Sequence, residues 1–209
     1  MNGTGVYHQG RPAKGSPVFA CRGVAEASGR ARHLLALASA SWHERQRAFK
    51  QLFNDGARSV PTLVEGAAAA DPRVRAACIA LMDHLGDERC CEALEHALRN
   101  PSALVRRHAV HAVGCQACKA HPLPIDVVGA LIDRAIGDPS VRVRRVAVHQ
   151  LGLQPPDARI IEALTHTLAA TTDQGVRSRA RHALRIQETH AADRSHRTGM
   201  PRARANAET

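Results

Sequence analysis

A ten-residue segment recurs in this chain: VRRHAVHAVG runs from Val105 to Gly114, and VRRVAVHQLG from Val143 to Gly152, 38 positions later. Three further copies follow the same pattern. VRSRARHALR starts at Val176, 33 residues on; VRAACIALMD starts at Val74, 31 residues before Val105; a weaker copy, ERQRAFKQLF, starts at Glu44, another 30 residues back. Repetition at about 20–50 residues marks a stacked array, because a single unit of that size cannot bury its own apolar face. The shared features are an Arg at the second position (Arg45, Arg75, Arg106, Arg144, Arg177), a small residue at the fifth (Ala48, Cys78, Ala109, Ala147, Ala180) and an apolar residue at the ninth (Leu52, Met82, Val113, Leu151, Leu184). On a helix, positions one, five, eight and nine fall on one face and are expected to form the core.

Second amphipathic segments lie between the copies. Those around Cys90–Leu98, Val128–Ile136 and Ile160–Leu168 place apolar residues at i, i+3, i+4 and i+7; residues 31–40 and 61–70 fill the same role earlier in the chain. Asp71-Pro72, Asn100-Pro101 and Asp138-Pro139 precede three of the motifs and read as an N-cap followed by an N1 proline. Gly114 and Gly152 read as helix stops. Only 2% of residues are aromatic while 44% are apolar, so the core must be built from Ala, Leu, Val and Ile. Such a core suits closely packed helices better than a β-sandwich. The expected fold is all-α, with about ten helices in five antiparallel pairs. Residues 1–27 and 188–209 are polar and aperiodic. They are expected to be disordered basic tails flanking a repeat domain at 28–187.

The pattern Asp-Pro, then Val-Arg-x-x-Ala-x-x-Ala-Leu-Gly, every 30–38 residues, resembles the HEAT repeat, in the short bacterial form of phycobilin-lyase-like proteins. The likeness covers roughly residues 41–187 and is weakest in the first unit, where Glu44 replaces the Val. It implies a right-handed α-solenoid of about five HEAT-like helix pairs, with the motif helix lining an inner, concave surface. It also implies that each motif Arg pairs with the Asp before a helix to form a ladder between units, with Asn100 weakening one rung.

Positions three, four and seven of the motif lie opposite the core face. The expected partner-binding groove is therefore Lys50, Arg107, His108, His111, Arg145, His149, Arg179 and His182, a basic, His-rich strip over units three to five. The net charge is +10, but residues 40–187 hold 20 Lys and Arg against 15 Asp and Glu, only half of that excess. An acidic protein is the expected partner and a nucleic-acid backbone the alternative.

No catalytic residue, cofactor or metal is expected. His111, His149 and His182 sit on successive helices, which pack ~8–10 Å apart, so the outer two cannot share an ion. His111, Cys115, Cys118 and His121 have zinc-ligand chemistry, but their spacing matches no established pattern. Deoxyhypusine hydroxylases of this repeat class use several His-Glu steps, and this chain has only His43-Glu44. HEAT-like DNA glycosylases use groove aromatics, and the lone Trp42 and Tyr7 do not supply them. The expected function is that of a non-enzymatic scaffold, with a lyase- or hydroxylase-like maturation factor as the enzymatic alternative. The six Cys lack a disulfide framework, and no apolar run reaches membrane-spanning length, so a cytoplasmic location is expected.

Overall fold

A computed structural model describes residues 29–115, 117–119 and 122–198. Five antiparallel helix pairs follow one another: α1 (29–36) with α2 (Trp42–Asn54), α3 (Val60–Ala67) with α4 (Pro72–Leu85), α5 (Cys91–Leu98) with α6 (Ala103–Gly114), α7 (Val127–Gly137) with α8 (Val141–Leu153), and α9 (Ala158–Ala170) with α10 (Gln174–Thr198). Single 3-10 turns, Gly56–Ser59 and Glu88–Cys90, lead into α3 and α5. There is no strand among the described residues. The motif lies on the second helix of each pair. These B helices stack α4 on α6, α6 on α8 and α8 on α10, while each packs against its own A helix. The result is an all-α solenoid.

The core is the one the periodicity demands. Val74, Val105, Val143 and Val176 at position one, and Cys78, Ala109, Ala147 and Ala180 at position five, are all buried. So are Leu81, Ala112, Gln150 and Ala183 at position eight. Cys90 is buried and Cys91 packs half-buried beside it.

Helix starts differ from the simple reading of the Asp-Pro pairs. Asp71 does cap α4, accepting from the Arg73 N–H with Pro72 at the first position. In the next two units the motif lies two residues further from its proline, and the N-caps are Ser102 and Ser140. There Asn100 and Asp138 fold back to accept the Ser102 and Ser140 N–H groups, at 3.0 and 2.8 Å.

The motif Arg also differs from the expected ladder. Its Nη1 donates to backbone carbonyls of the turn that precedes its own helix: Arg45 to Ser39 and Ala40, Arg75 to Ala69 and Ala70, Arg106 to Asn100 and Pro101, Arg144 to Asp138, and Arg177 to Leu168 and Thr171. Each guanidinium thus ties together the A–B turn of its unit, where helix-end carbonyls lack intrahelical donors. Only Arg106 also reaches the next unit, donating to both Asp138 oxygens at 2.8 and 2.9 Å. A second link between units, Arg145 to Asp173 at 2.8 Å, uses the neighbouring position three.

Gly114 and Gly152 do not terminate their helices by a left-handed turn; Gly56 is the described glycine with positive φ. They are needed for close approach. A Cβ on Gly114 would lie 2.7 Å from Gln150 Cβ, and one on Gly152 would lie 2.8 Å from Ala183 Cβ. Position ten of one B helix therefore meets position eight of the next.

Helix α10 continues to Thr198, so residues 188–198 are helical rather than the disordered tail expected there. Neither Gly nor Pro occurs between Gly175 and Gly199, and extending an existing helix costs little once it is nucleated. The expectations for 1–27 and for 199–209 lie outside the described residues.

The Arg106–Asp138 pair is 8% and 0% exposed. Truncating Arg106 leaves the Asp138 carboxylate buried with only Arg134, at 3.8 Å, as a cationic neighbour, a loss of up to about 3–5 kcal/mol. Arg106→Ala is expected to lower the unfolding free energy by that amount in urea titrations followed by circular dichroism.

Candidate functional site

The B helices that carry the cations also lack counter-charges. Helices α6 and α8, and α10 as far as Gln187, contain no carboxylate, whereas α5, α7 and α9 carry Glu92 and Glu95, Asp133, and Glu162. Since positions one, five and eight are buried, the long cationic side chains are confined to the remaining faces. Arg107, Arg142, Arg145, Val146, His149 and Arg179 come together around an open depression of about 350 Å³ spanning α6, α8 and α10.

The expected groove residues do not all share this place. Arg107, Arg145, His149 and Arg179 line it. Arg145 is committed to Asp173, and both charges are held in their ionised forms by the bidentate hydrogen bonds between them. Arg142 belongs to the depression but was absent from the sequence-based set. His182 is exposed on α10, close enough to His149 to oppose its protonation. His108 is half-buried beside Arg107. Lys50 is exposed on α2, outside the depression. His111 turns toward a different cluster.

That cluster lies where α4, α6 and the loop after α6 meet. Asp83 ends the α4 motif at position ten, where α6 and α8 have Gly, and is 2% exposed. Its Oδ2 is 3.3 Å from His111 Nε2 and 3.6 Å from His84 Nε2. Its Oδ1 is 3.5 Å from Lys119 Nζ. Lys119, itself 4% exposed, donates to the Ala112 and Cys115 carbonyls and so caps the C-terminal turn of α6. Cys115 and Cys118 are unlinked, their Sγ atoms 2.9 Å apart. Asp83, His111 and Cys115 form one group of donor atoms within 4.8 Å of one another, and Asp83, His84 and Cys118 form a second. Phe53 packs edge-on against His84, with centroids 5.8 Å apart. The hydrogen bond from Cys115, together with burial, pushes the Cys118 thiol up to about 11.

Sequence reasoning found His111, Cys115 and Cys118 here but missed Asp83, His84 and Lys119. The signal was present: a carboxylate at the motif position that is glycine in the two following units. His121 lies outside the described residues.

Residues 31–114, less than half of the chain, match the family model of HEAT repeats. The array thus has the fold of a HEAT-like α-solenoid. Among solved structures, it is similar to the complex of CpcE and CpcF of phycocyanin lyase from Nostoc sp. PCC7120, with TM-score 0.66 and 20% identity over 75% of this chain and 98% of that one. An engineered protein (TM-score 0.45, 18% identity, 84% and 85% coverage) and a designed armadillo repeat protein (TM-score 0.28, 16% identity, 75% and 98% coverage) also match. No curated protein sequence matches. No helix among the described residues is long and apolar enough to cross a membrane.

Burial, with Arg107 and His111 adding to it, lowers the pKa of His108; burial, with Arg179, His182 and His111, lowers that of His149. Both are lowered from 6.5, so the unfolded chain takes up these protons first. Their contribution to stability is complete above pH 6.5 and is lost as pH falls through the depressed folded values. Melting temperature measured between pH 7 and 5 is expected to fall. The decline should be shallower in a His108→Gln, His149→Gln variant.

Proposed function

We propose that this chain is a non-enzymatic scaffold that binds an acidic protein segment on the B-helix face of α6, α8 and α10. The observation that carries this reading is the charge segregation: α6, α8 and α10 as far as Gln187 present Arg and His without a carboxylate, while acidic residues are spread over the A helices. Arg107, Arg142 and Arg179 form no ion pair with a carboxylate among the described residues. Unsatisfied cations around a depression attract carboxylates and speed encounter with an acidic surface. The CpcE–CpcF structure, a complex of two chains, supports a protein as partner for this kind of solenoid.

Nucleic acid is the second reading, favoured by the same cations. It has less support, because no aromatic side chain lines the depression to stack bases. Among the motif Arg residues, all five are engaged by turn carbonyls, which leaves few for phosphates. A lyase-like maturation role has in its favour the fold alone, which many unrelated functions share.

The test uses Arg107→Glu with Arg179→Glu, and leaves Arg145 intact because its loss would break the link to Asp173. The full chain is expected to capture an acidic protein at physiological salt. The double variant should lose that capture while keeping its helicity and melting temperature. Micromolar binding of duplex DNA, lost in the same variant and falling with salt at a log–log slope of about −0.9 per phosphate contact, would assign the face to nucleic acid instead.

A further inference from the structure

We propose that Asp83, His111, Cys115 and Cys118 bind one zinc-class divalent ion between α4, α6 and the loop that follows α6. This reverses the expectation of no metal, which rested on the spacing of His111, Cys115, Cys118 and His121 alone. The long-range partner missing from that spacing is Asp83, in the preceding repeat.

The donor chemistry is specific. Two thiolates, one imidazole and one carboxylate suit a borderline-soft ion of zinc type and do not suit magnesium or calcium, which take oxygen ligands. Two N or O donors at ~2.0–2.1 Å from a tetrahedral ion stand about 3.3–3.4 Å apart. His111 Nε2 and Asp83 Oδ2 are already at 3.3 Å. The Cys115 and Cys118 Sγ atoms must open from 2.9 Å to about 3.8 Å, the separation of two sulfurs at ~2.3 Å from the ion. Cys118 lies in the donor group of Asp83 and His84 rather than in that of His111, so rotation of the two half-buried Cys side chains must both open the Sγ pair and bring Cys118 toward His111.

The surroundings are arranged as metal sites are. Lys119 Nζ faces Oδ1 of Asp83 while Oδ2 faces the imidazoles, so the ammonium orients the carboxylate from behind. The charges of two thiolates and one carboxylate balance those of a dication and this ammonium. Gln150, 1% exposed, places its side-chain amide 3.0 Å from His111 Nδ1, and its Oε1 has no hydrogen-bond partner. Turned over, that amide accepts the Nδ1 proton and frees Nε2 to ligate, the usual support of a metal-bound imidazole. A buried, unpartnered oxygen beside the ring is otherwise unexplained. His84 Nε2, 3.6 Å from the same Oδ2, is a spare fifth donor.

The experiment is titration of the reduced, chelator-stripped full chain with Zn²⁺, and with Co²⁺ as the optical probe. One equivalent of metal is expected, with a near-ultraviolet thiolate-to-cobalt band that Zn²⁺ displaces. Cys115→Ser with Cys118→Ser should abolish the band at unchanged helicity. Cys90→Ser with Cys91→Ser should retain it. Lys119→Gln, which touches no ion, should weaken affinity roughly 10–100-fold. Absence of the band in the reduced chain, or its persistence in the Cys115, Cys118 variant, would overturn the proposal.

Discussion

The distance between neighbouring B helices governs the rest of the molecule. Position ten of one helix lies against position eight of the next so closely that a Cβ on Gly114 or Gly152 would overlap Gln150 or Ala183. Small residues at position five, and Ala112 and Ala183 at position eight, fit that approach, as does the near absence of aromatic residues from the core. A stack this tight leaves long polar side chains two places to go. The motif Arg folds back on its own turn and satisfies helix-end carbonyls, while Arg107, Arg142 and Arg179 project from the stacked B helices around one depression. The basic face is therefore a by-product of packing as much as a feature added to it.

Asp83 shows what happens when the packing rule is broken. At position ten of α4 it puts a buried carboxylate where the two following units have glycine. Burying a charge demands compensation, and the compensation converges on it: Lys119 from the loop, His84 from its own helix and His111 from the next. The long connection after α6 brings Cys115 and Cys118 to the same point. A structural ion pair alone would need Lys119 and nothing more. The added imidazoles and thiols are what give the cluster its ligand character.

The helix pairs were legible because each motif repeats its own core positions. Val105 and Val143, or Ala109 and Ala147, read the same way in sequence as in the fold. Faces were legible too: Arg107, Arg145, His149 and Arg179 do meet. What sequence could not show was which cation is already paired. Asp173 precedes α10 and looks like a helix cap, and it does accept the Val176 N–H, yet it also holds Arg145 from the unit before. The ladder implied by family resemblance failed at Arg75 and Arg144 because turn carbonyls lie nearer than any carboxylate. The helical extension to Thr198 was missed because composition registers the lack of a buried face and not the absence of a helix breaker.

Hydrogen–deuterium exchange of the full chain, with and without a polyglutamate peptide, tests most directly whether the B helices form the binding face. Slowed exchange confined to α6, α8 and the first turns of α10 is the expected result. Protection on α5, α7 and α9 instead, or no change anywhere at saturating peptide, would contradict it.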